Sequence, residues 1–471
     1  MTKDYPSEML RGALNRKAAP WMRALLLTVS TAVFFGFAWH ARYATLDSYG
    51  SWQMDELLLM TAVMFTAVFA LSFGVQLRFA RSQPLSVCLL LAVVTGAVVL
   101  AKVSLLDYVS DDYTIFLNNW ISEYAQMGIR EGLGSYIGSD YTPPYLYLML
   151  VISRFPDYPW LYMVKLISLL FEVLMAYAML RLATLRARGE GVPLLLYHMT
   201  MILPTVMFNG AYWGQCDAIY TGFCLLALYL ALSDRPCRSM LCFGVALSFK
   251  LQTVFFLPAL LPLWLQKKVK LRHLPLIPAM YMVMMLPALW GGKSLHHVLT
   301  CYMQQAGQYN FLTVNAPCLY QLFPMAEIDG NVLYAMFSPM AMALGFAALA
   351  ACCLPVCVHR DRLNAESTLL FTTLTLASVA FVLPKMHERY TFGADVLSLV
   401  AAAYDPKRVA LPLLFGLASY ISYTAGLPGD VVMDMRWAAL AQTAAIALTA
   451  AALWRTLNAP CDARCATEVK A

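Results

Sequence analysis

The sequence predicts an all-α polytopic transmembrane bundle of about 12–14 helices, with amphipathic helices lying on the membrane in its first large outer loop. Three observations predict it. Of 471 residues, 61% are hydrophobic and only 13% charged, about half the charged fraction of a soluble domain, and mean hydropathy is +0.63. Apolar runs recur near the ~20 residues that cross ~30 Å of hydrocarbon, whereas a β-barrel would show short alternating segments. Basic residues gather at one set of helix ends, which reads the net charge of +6 as a topology signal and not as a nucleic-acid footprint.

The elements follow in order. Lys3, Arg11, Arg16, Lys17 and Arg23 put the N-terminal segment in the cytoplasm. The first apolar run has no small-residue cleavage site after it and reads as a retained anchor. Spans are expected over Met22–His40, Glu56–Val75 and Pro84–Leu106, with Arg78 and Arg81 inside. The loop from Asp107 to Pro159 is acidic and belongs outside; Phe116, Trp120 and Tyr124 recur every four residues, so Thr114–Gln126 reads as an interfacial helix. Spans follow over Trp160–Ala183, Pro193–Phe208 and Ala218–Ser233, with Arg186, Arg188, Arg235 and Arg238 inside. Ser239–Gln266 is too long for one span and too short for two, so it is read as two short helices bent near Lys250 and Gln252. Lys267, Lys268, Lys270 and Arg272 return the chain to the cytoplasm. After Leu274–Trp290 comes a second outer loop, Gly291–Gly330, and then Val332–Val358, Ser367–Leu383, Tyr390–Tyr404, Leu411–Ala425 and Trp437–Leu457. Both termini are expected in the cytoplasm, the tail after Leu457 being short, polar and disordered. One integral membrane domain covers 1–471: N-terminal helices at 22–106, an outer loop with interfacial helices at 107–159, middle helices at 160–290, the second outer loop at 291–330 and C-terminal helices at 331–457.

This topology brings four polar segments to the non-cytoplasmic face: SDDYTIFLNNW, SDYTPPYLY, WGQCD and PKMHERY. Their convergence suggests one site. Asp111 and Asp112 stand at the membrane rim, where a carboxylate can accept a hydroxyl proton or bind a cation; Asp112 equally suits the N-cap of the interfacial helix. Asp140 and Tyr141 precede Pro143 and Pro144, which stop one helix and start another. An entry turn with aromatic anchors accounts for the tyrosines but not for Asp140. Lys385, His387, Glu388 and Arg389 put four ionisable groups in five positions. Cations at an outer surface suit a phosphate, or snorkel to lipid headgroups.

Charges inside spans are costly and point to function or to internal pairing: Lys165 with Glu172, Asp217, Lys250 and Asp395. His296 and His297 lack a nearby carboxylate, and no metal site is expected from them. Most of the 12 cysteines lie in apolar runs as small hydrophobes; Cys301 and Cys318 share an outer loop, which allows a disulfide between them.

Taken in order over Asp107 to Asp395, the four segments resemble the GT-C class of multispanning glycosyltransferases, in particular the dolichyl-phosphate-glucose-dependent glucosyltransferases of N-glycan assembly and the bacterial proteins related to the GPI mannosyltransferases. A GDYEAQRHW-like loop followed by DYPP is matched by SDDYTIFLNNW and SDYTPPY, an HFQYN segment by WGQCDAIYTGF, and a C-terminal HEK by MHERY. The resemblance aligns Asp112 with the family's catalytic aspartate and replaces the preceding glycine by Asp111, so either aspartate stands as the base. Arg389 takes the place of the family's lysine. The three spans before Asp107 exceed what the family has there.

The resemblance implies an inverting transfer of a hexose, mannose or glucose, from a polyprenyl-phosphate donor to an acceptor hydroxyl on the outer face of the plasma membrane. The acceptor is a lipid-linked glycan, a cell-wall polymer or a protein. It implies donor or acceptor contacts for Arg389, His387, Glu388, Lys385, Lys250, Gln252, Asp140, Tyr141, Trp213, Gln215 and Asp217, and a lipid tail between helices. No nucleotide sugar follows from it; a divalent cation is required by some members and not by others. The competing reading is a transporter or lipid flippase, for which an inverted repeat and paired broken helices are expected; only the pair within Ser239–Gln266 is visible.

Overall fold

The computed structural model describes residues 14–15, 17–45, 51–139, 141–307, 310–323, 330–427 and 432–459. Lys3, Arg11, Arg16, Asp140 and the tail beyond Ala459 lie outside the described residues.

The chain is a helical bundle built for a membrane. Among the described residues nine helices are long and apolar enough to cross one, ten if a bent pair counts as one span. This is coarser than the 12–14 expected, because four apolar segments, Asp217–Leu232, Pro236–Phe249, Leu251–Leu265 and Phe392–Tyr404, have only 10–17 residues each.

Three N-terminal helices come first: α1 (Pro20–Thr45), α2 (Ser51–Phe79) and α3 (Leu85–Val103). On α1, Trp21, Leu25, Val29, Val33 and Phe37 recur every four residues and are all exposed, a stripe suited to lipid and not to water. The first long loop carries a π-helical turn (Tyr113–Leu117) running into α4 (Asn118–Ala125), then α5 (Ile129–Gly134) and α6 (Pro143–Ile152), which starts at the predicted prolines. Trp120, Ile121 and Tyr124 of α4 pack with Tyr145, Leu146 and Met149 of α6 over Val164 and Phe249. Arg154 donates to the carbonyls of Tyr124 and Met127, closing this layer.

The long helix α7 (Trp160–Ala183) packs against α2, α8 (Gly191–Ile202) and α10 (Asp217–Leu232). The single span expected at Pro193–Phe208 is broken: α8 stops at Leu203, and α9 (Pro204–Trp213) turns away by 50°. Pro204 is the cause. It pushes Leu203 into extended backbone, φ −56°, ψ 129°. The two short helices expected inside Ser239–Gln266 are α11 (Pro236–Phe249) and α12 (Leu251–Leu265), and the break falls at Lys250, φ −152°, ψ 136°.

The remainder comprises α13 (Leu276–Gly291), α14 (Leu295–Gly307), α15 (Gly330–Val358), α16 (Ala365–Val382), α17 (Phe392–Tyr404), α18 (Ala410–Gly426) and α19 (Met435–Asn458). The all-α expectation needs one amendment. A parallel two-residue pairing joins β1 (Thr313–Val314) to β2 (Met386–His387), fastening the second long loop to the MHERY segment. Cys301 and Cys318 do not bridge; both are buried, as small hydrophobes tend to be.

The topology is checked by thiol labelling. Tyr136→Cys and Met303→Cys, 66% and 75% exposed in the two outer loops, are expected to react with an impermeant reagent in intact cells. The exposed natural thiols Cys237 and Cys357, beside the basic turns, are expected to react only after permeabilisation. The opposite pattern would invert the whole assignment.

Candidate functional site

Asp112 does not cap the helix that follows it. Its backbone is already helical, φ −57°, ψ −37°, and its side chain makes no capping bond. Instead its carboxylate accepts a hydrogen bond from Gln215 Nε2 and lies 4.0 Å from Arg389 Nη1. Asp111, one residue earlier, is exposed and does not line the cavity beside Asp112. Adjacent helical residues point about 100° apart, so the carboxylate pair is split between solvent and site.

That cavity, about 50 Å³, is walled by Asp112, Gln215, Arg389, Trp120, Tyr141 and Tyr145 among others. Each wall comes from one of the polar segments singled out above. Gln215 is presented by the α9–α10 turn, where Gly214 takes φ +84°, backbone that a side chain would strain. The Gln215 carbonyl accepts from Ser168 at 2.7 Å, and Ser110 donates to the Trp213 carbonyl at 3.2 Å, so α7 and the first loop hold this turn from two sides. Tyr141 OH reaches Gln215 Oε1 at 3.5 Å. Next to it, Thr142 Oγ1 donates to the Ser248 carbonyl at 2.6 Å, tying the proline turn to the break at Lys250.

Arg389 lies over the Trp213 ring at 4.8 Å and pairs with Glu388 at 2.9 Å. Burial pushes the Glu388 carboxyl up, the guanidinium beside it only partly offsetting this. His387 is pushed down to about 3 by burial and by the positive charges of Arg389 and Lys250, so it is neutral at physiological pH and unsuited to binding phosphate as a cation. Lys385 is not brought to the cavity. Its ammonium lies over the Tyr334 ring at 5.0 Å, and its backbone N–H donates to the Phe311 and Leu312 carbonyls.

Beneath the cavity, Lys250 Nζ pairs with Asp217 at 2.7 Å, both side chains being 3% exposed or less. Asn209 Nδ2 donates to the other Asp217 oxygen at 2.8 Å and to Tyr423 OH at 3.0 Å. Asp217 is thus spent on internal partners and is not a free substrate ligand. Lys250 also faces the Tyr141 and Tyr220 rings at about 6 Å. Gln252 follows it, buried, its Oε1 without a hydrogen-bond partner.

No protein-family model matches this chain, and no curated protein does.

The intraspan pairing expected between Lys165 and Glu172 is not formed. Glu172 pairs with Lys102 of α3 at 2.7 Å. Lys165 Nζ donates to the carbonyls of Leu105, Leu106 and Tyr108, binding the chain just ahead of Asp111. Sequence reasoning assigned Lys102 no role; it lies in the last turn of an apolar helix, and only packing brings Glu172 to it. Asp395 accepts from Thr205 at 2.8 Å and from Ser419, away from the cavity. His297 packs edge-on to Tyr136 at the surface. Among the described residues no group of three or more His, Cys, Asp or Glu is placed to hold a metal.

A pH dependence follows from His387. Its folded pKa of about 3 lies below the free value of about 6.5, so the unfolded chain binds the extra proton between those limits. Stability is therefore lost as pH falls below about 6.5, by about 1.4 kcal/mol per pH unit from this group. His387→Gln in detergent is expected to lose less thermal stability between pH 7 and pH 5 than the parent protein. An identical pH dependence in both would show that His387 is accessible to protons in the folded state.

Proposed function

We propose that the protein is a GT-C-type hexosyltransferase that moves mannose or glucose from a polyprenyl-phosphate donor to an acceptor hydroxyl on the outer face, with inversion. The observation that carries the proposal is the pair Asp112 and Arg389, a carboxylate and a guanidinium 4.0 Å apart on one cavity wall. Such a pair supplies what the reaction needs at its two ends. Asp112 takes the acceptor proton as the oxygen attacks the anomeric carbon. The bond from that carbon to the phosphate oxygen breaks, its electron pair stays on the polyprenyl phosphate, and Arg389 stabilises the charge. Gln215 orients the carboxylate, Glu388 and Trp213 orient the guanidinium, and Lys250 is the nearby second cation. The acceptor remains a lipid-linked glycan, a cell-wall polymer or a protein.

At about 50 Å³ the cavity is smaller than the 300–1,000 Å³ of typical ligand pockets, so the proposal requires it to open. Phe116, at its rim on the π-helical turn, is 39% exposed and is the wall with least packing to lose.

The test is transfer by purified protein from radiolabelled polyprenyl-phosphate mannose and glucose. Incorporation from one of these, and none from the corresponding nucleotide sugar, is expected. Direct use of the nucleotide sugar, or use of neither lipid, defeats the proposal. The bend at Leu203–Pro204 favours one rival, since broken helices serve transporters. Release of labelled lipid-sugar from the outer leaflet without any new glycosidic bond would select that reading.

A further inference from the structure

The N-terminal helices carry another charged cavity, at the end of the bundle remote from Asp112. Lys17, Arg23, Arg78 and Arg81 line a space of about 540 Å³ together with Leu27 and Leu77. Two separate stretches of chain build it. Residue 17 makes an antiparallel bridge to Pro84, and Arg23 Nη2 donates to the Arg81 carbonyl, so the approach to α1 folds over the α2–α3 turn. α3 spans the 19 residues between this turn and the outer loop, roughly 28 Å. The two cavities therefore face opposite leaflets.

The charge balance separates this cluster from its neighbours. Another basic cavity, lined by Arg186, Lys407, Arg408 and Arg455, also holds Glu366 and Asp405, and these carboxylates pair with Arg186 and Arg408. None of Lys17, Arg23, Arg78 and Arg81 makes an ion pair among the described residues, and no described carboxylate lines the cavity. The nearby Glu190 is engaged by the Ser82 backbone N–H. Arg23 Nε is buried with no hydrogen-bond partner. Four cations converging with no anion among the described residues beside them repel one another. The arrangement is stable when a ligand supplies the negative charge.

We propose that this cavity binds the phosphate headgroup of an anionic glycerophospholipid. The apolar side of the site selects a lipid over free phosphate: Leu27 and Leu77 continue it into the bundle, beside the exposed α1 stripe of Leu25, Val29 and Val33 where acyl chains would lie. The location agrees, since the basic ends of the helices face the anionic cytoplasmic leaflet by the topology argued above.

The test is native mass spectrometry of the full chain in detergent, titrated with dioleoyl phosphatidylglycerol, with dioleoyl phosphatidylcholine or with inorganic phosphate. Phosphatidylglycerol is expected to bind with saturation and to weaken with rising salt, while phosphatidylcholine and phosphate do not saturate. Arg78→Gln with Arg81→Gln, both exposed side chains, is expected to weaken it about 30-fold, two steps of about 1 kcal/mol at 1.4 kcal/mol per decade. Arg78→Lys with Arg81→Lys keeps the charge and is expected to stay within a few-fold of the parent. Lys270→Gln with Arg272→Gln, at the same end but outside the cavity, is expected to bind as the parent does. Equal binding by the Arg78→Gln/Arg81→Gln variant and the parent overturns the proposal, as does saturation by phosphate alone or equal loss in the Lys270→Gln/Arg272→Gln control.

Discussion

An Asp112→Asn variant is expected to fold, to bind a polyprenyl-phosphate hexose and to transfer it about 10²–10⁴-fold more slowly, the usual cost of losing a general base. The substitution keeps the shape of the side chain, and the amide oxygen still accepts from Gln215 Nε2, the bond that now orients the carboxylate. What it removes is the basic oxygen. It also leaves Arg389 with one anion fewer at 4.0 Å, so affinity for the negatively charged donor should hold or rise while turnover falls. That divergence separates proton abstraction from binding, because a ligand-holding residue would weaken the donor complex as well. Asp111→Asn serves as the internal control. Its side chain is exposed and outside the cavity, and near-normal transfer is expected. Near-normal transfer by Asp112→Asn, measured with saturating donor, removes Asp112 from the chemistry. Loss in both variants would mean that the two carboxylates act together.

Lys250→Met is expected to destabilise the protein by about 3–5 kcal/mol, the cost of stranding one member of a buried ion pair. Asp217 is fully buried, and without the ammonium at 2.7 Å only Asn209 would remain to satisfy it. Adding Asp217→Asn should recover most of the loss, since an amide can be buried there without a counter-ion. Unfolding in denaturant or by heat in detergent reads both variants. The double variant also tests the site, because it folds without the second cation beneath the cavity. Slow transfer by the stable double variant assigns Lys250 to the departing phosphate. Transfer at the parental rate leaves the pair a purely structural strut between α10 and the α11–α12 break, and no recovery of stability would contradict the pairing itself.

Much of the framework was readable because its signals are local. Trp160–Ala183 is found at its predicted bounds, and the break at Lys250 falls where the length of Ser239–Gln266 required a bend. Hydrocarbon thickness fixes how many apolar residues a span needs, and prolines mark where helices start or stop. The same logic missed the bend at Leu203. Pro204 was inside an apolar run, and hydropathy does not register backbone direction.

The candidate site was readable as a set of segments and not as a set of contacts. Four polar stretches on one predicted face do supply the walls of one cavity, with Asp112, Tyr141, Gln215 and Arg389 among them. Within each stretch the choice of residue was not accessible. Asp111 and Asp112 are chemically identical neighbours, and the turn of the helix alone sends one outward and one inward. Lys385 and Arg389 are both cations, but Lys385 adopts φ +65° and carries its side chain to Tyr334, while Arg389 stacks on Trp213.

The partners of the buried charges were decided only by packing. Spacing on α7 made Lys165 and Glu172 plausible partners, yet Glu172 meets Lys102 on α3 and Lys165 holds three carbonyls of the chain leading to the site. Helical periodicity reports which residues share a face; it carries no information about which other helix meets that face, or at what height. Hydropathy, prolines and charge asymmetry act within a turn or a span, and so the one-dimensional pattern specifies them. An ion pair buried between helices depends on two distant segments arriving within 3 Å of each other, and only the assembled bundle specifies that.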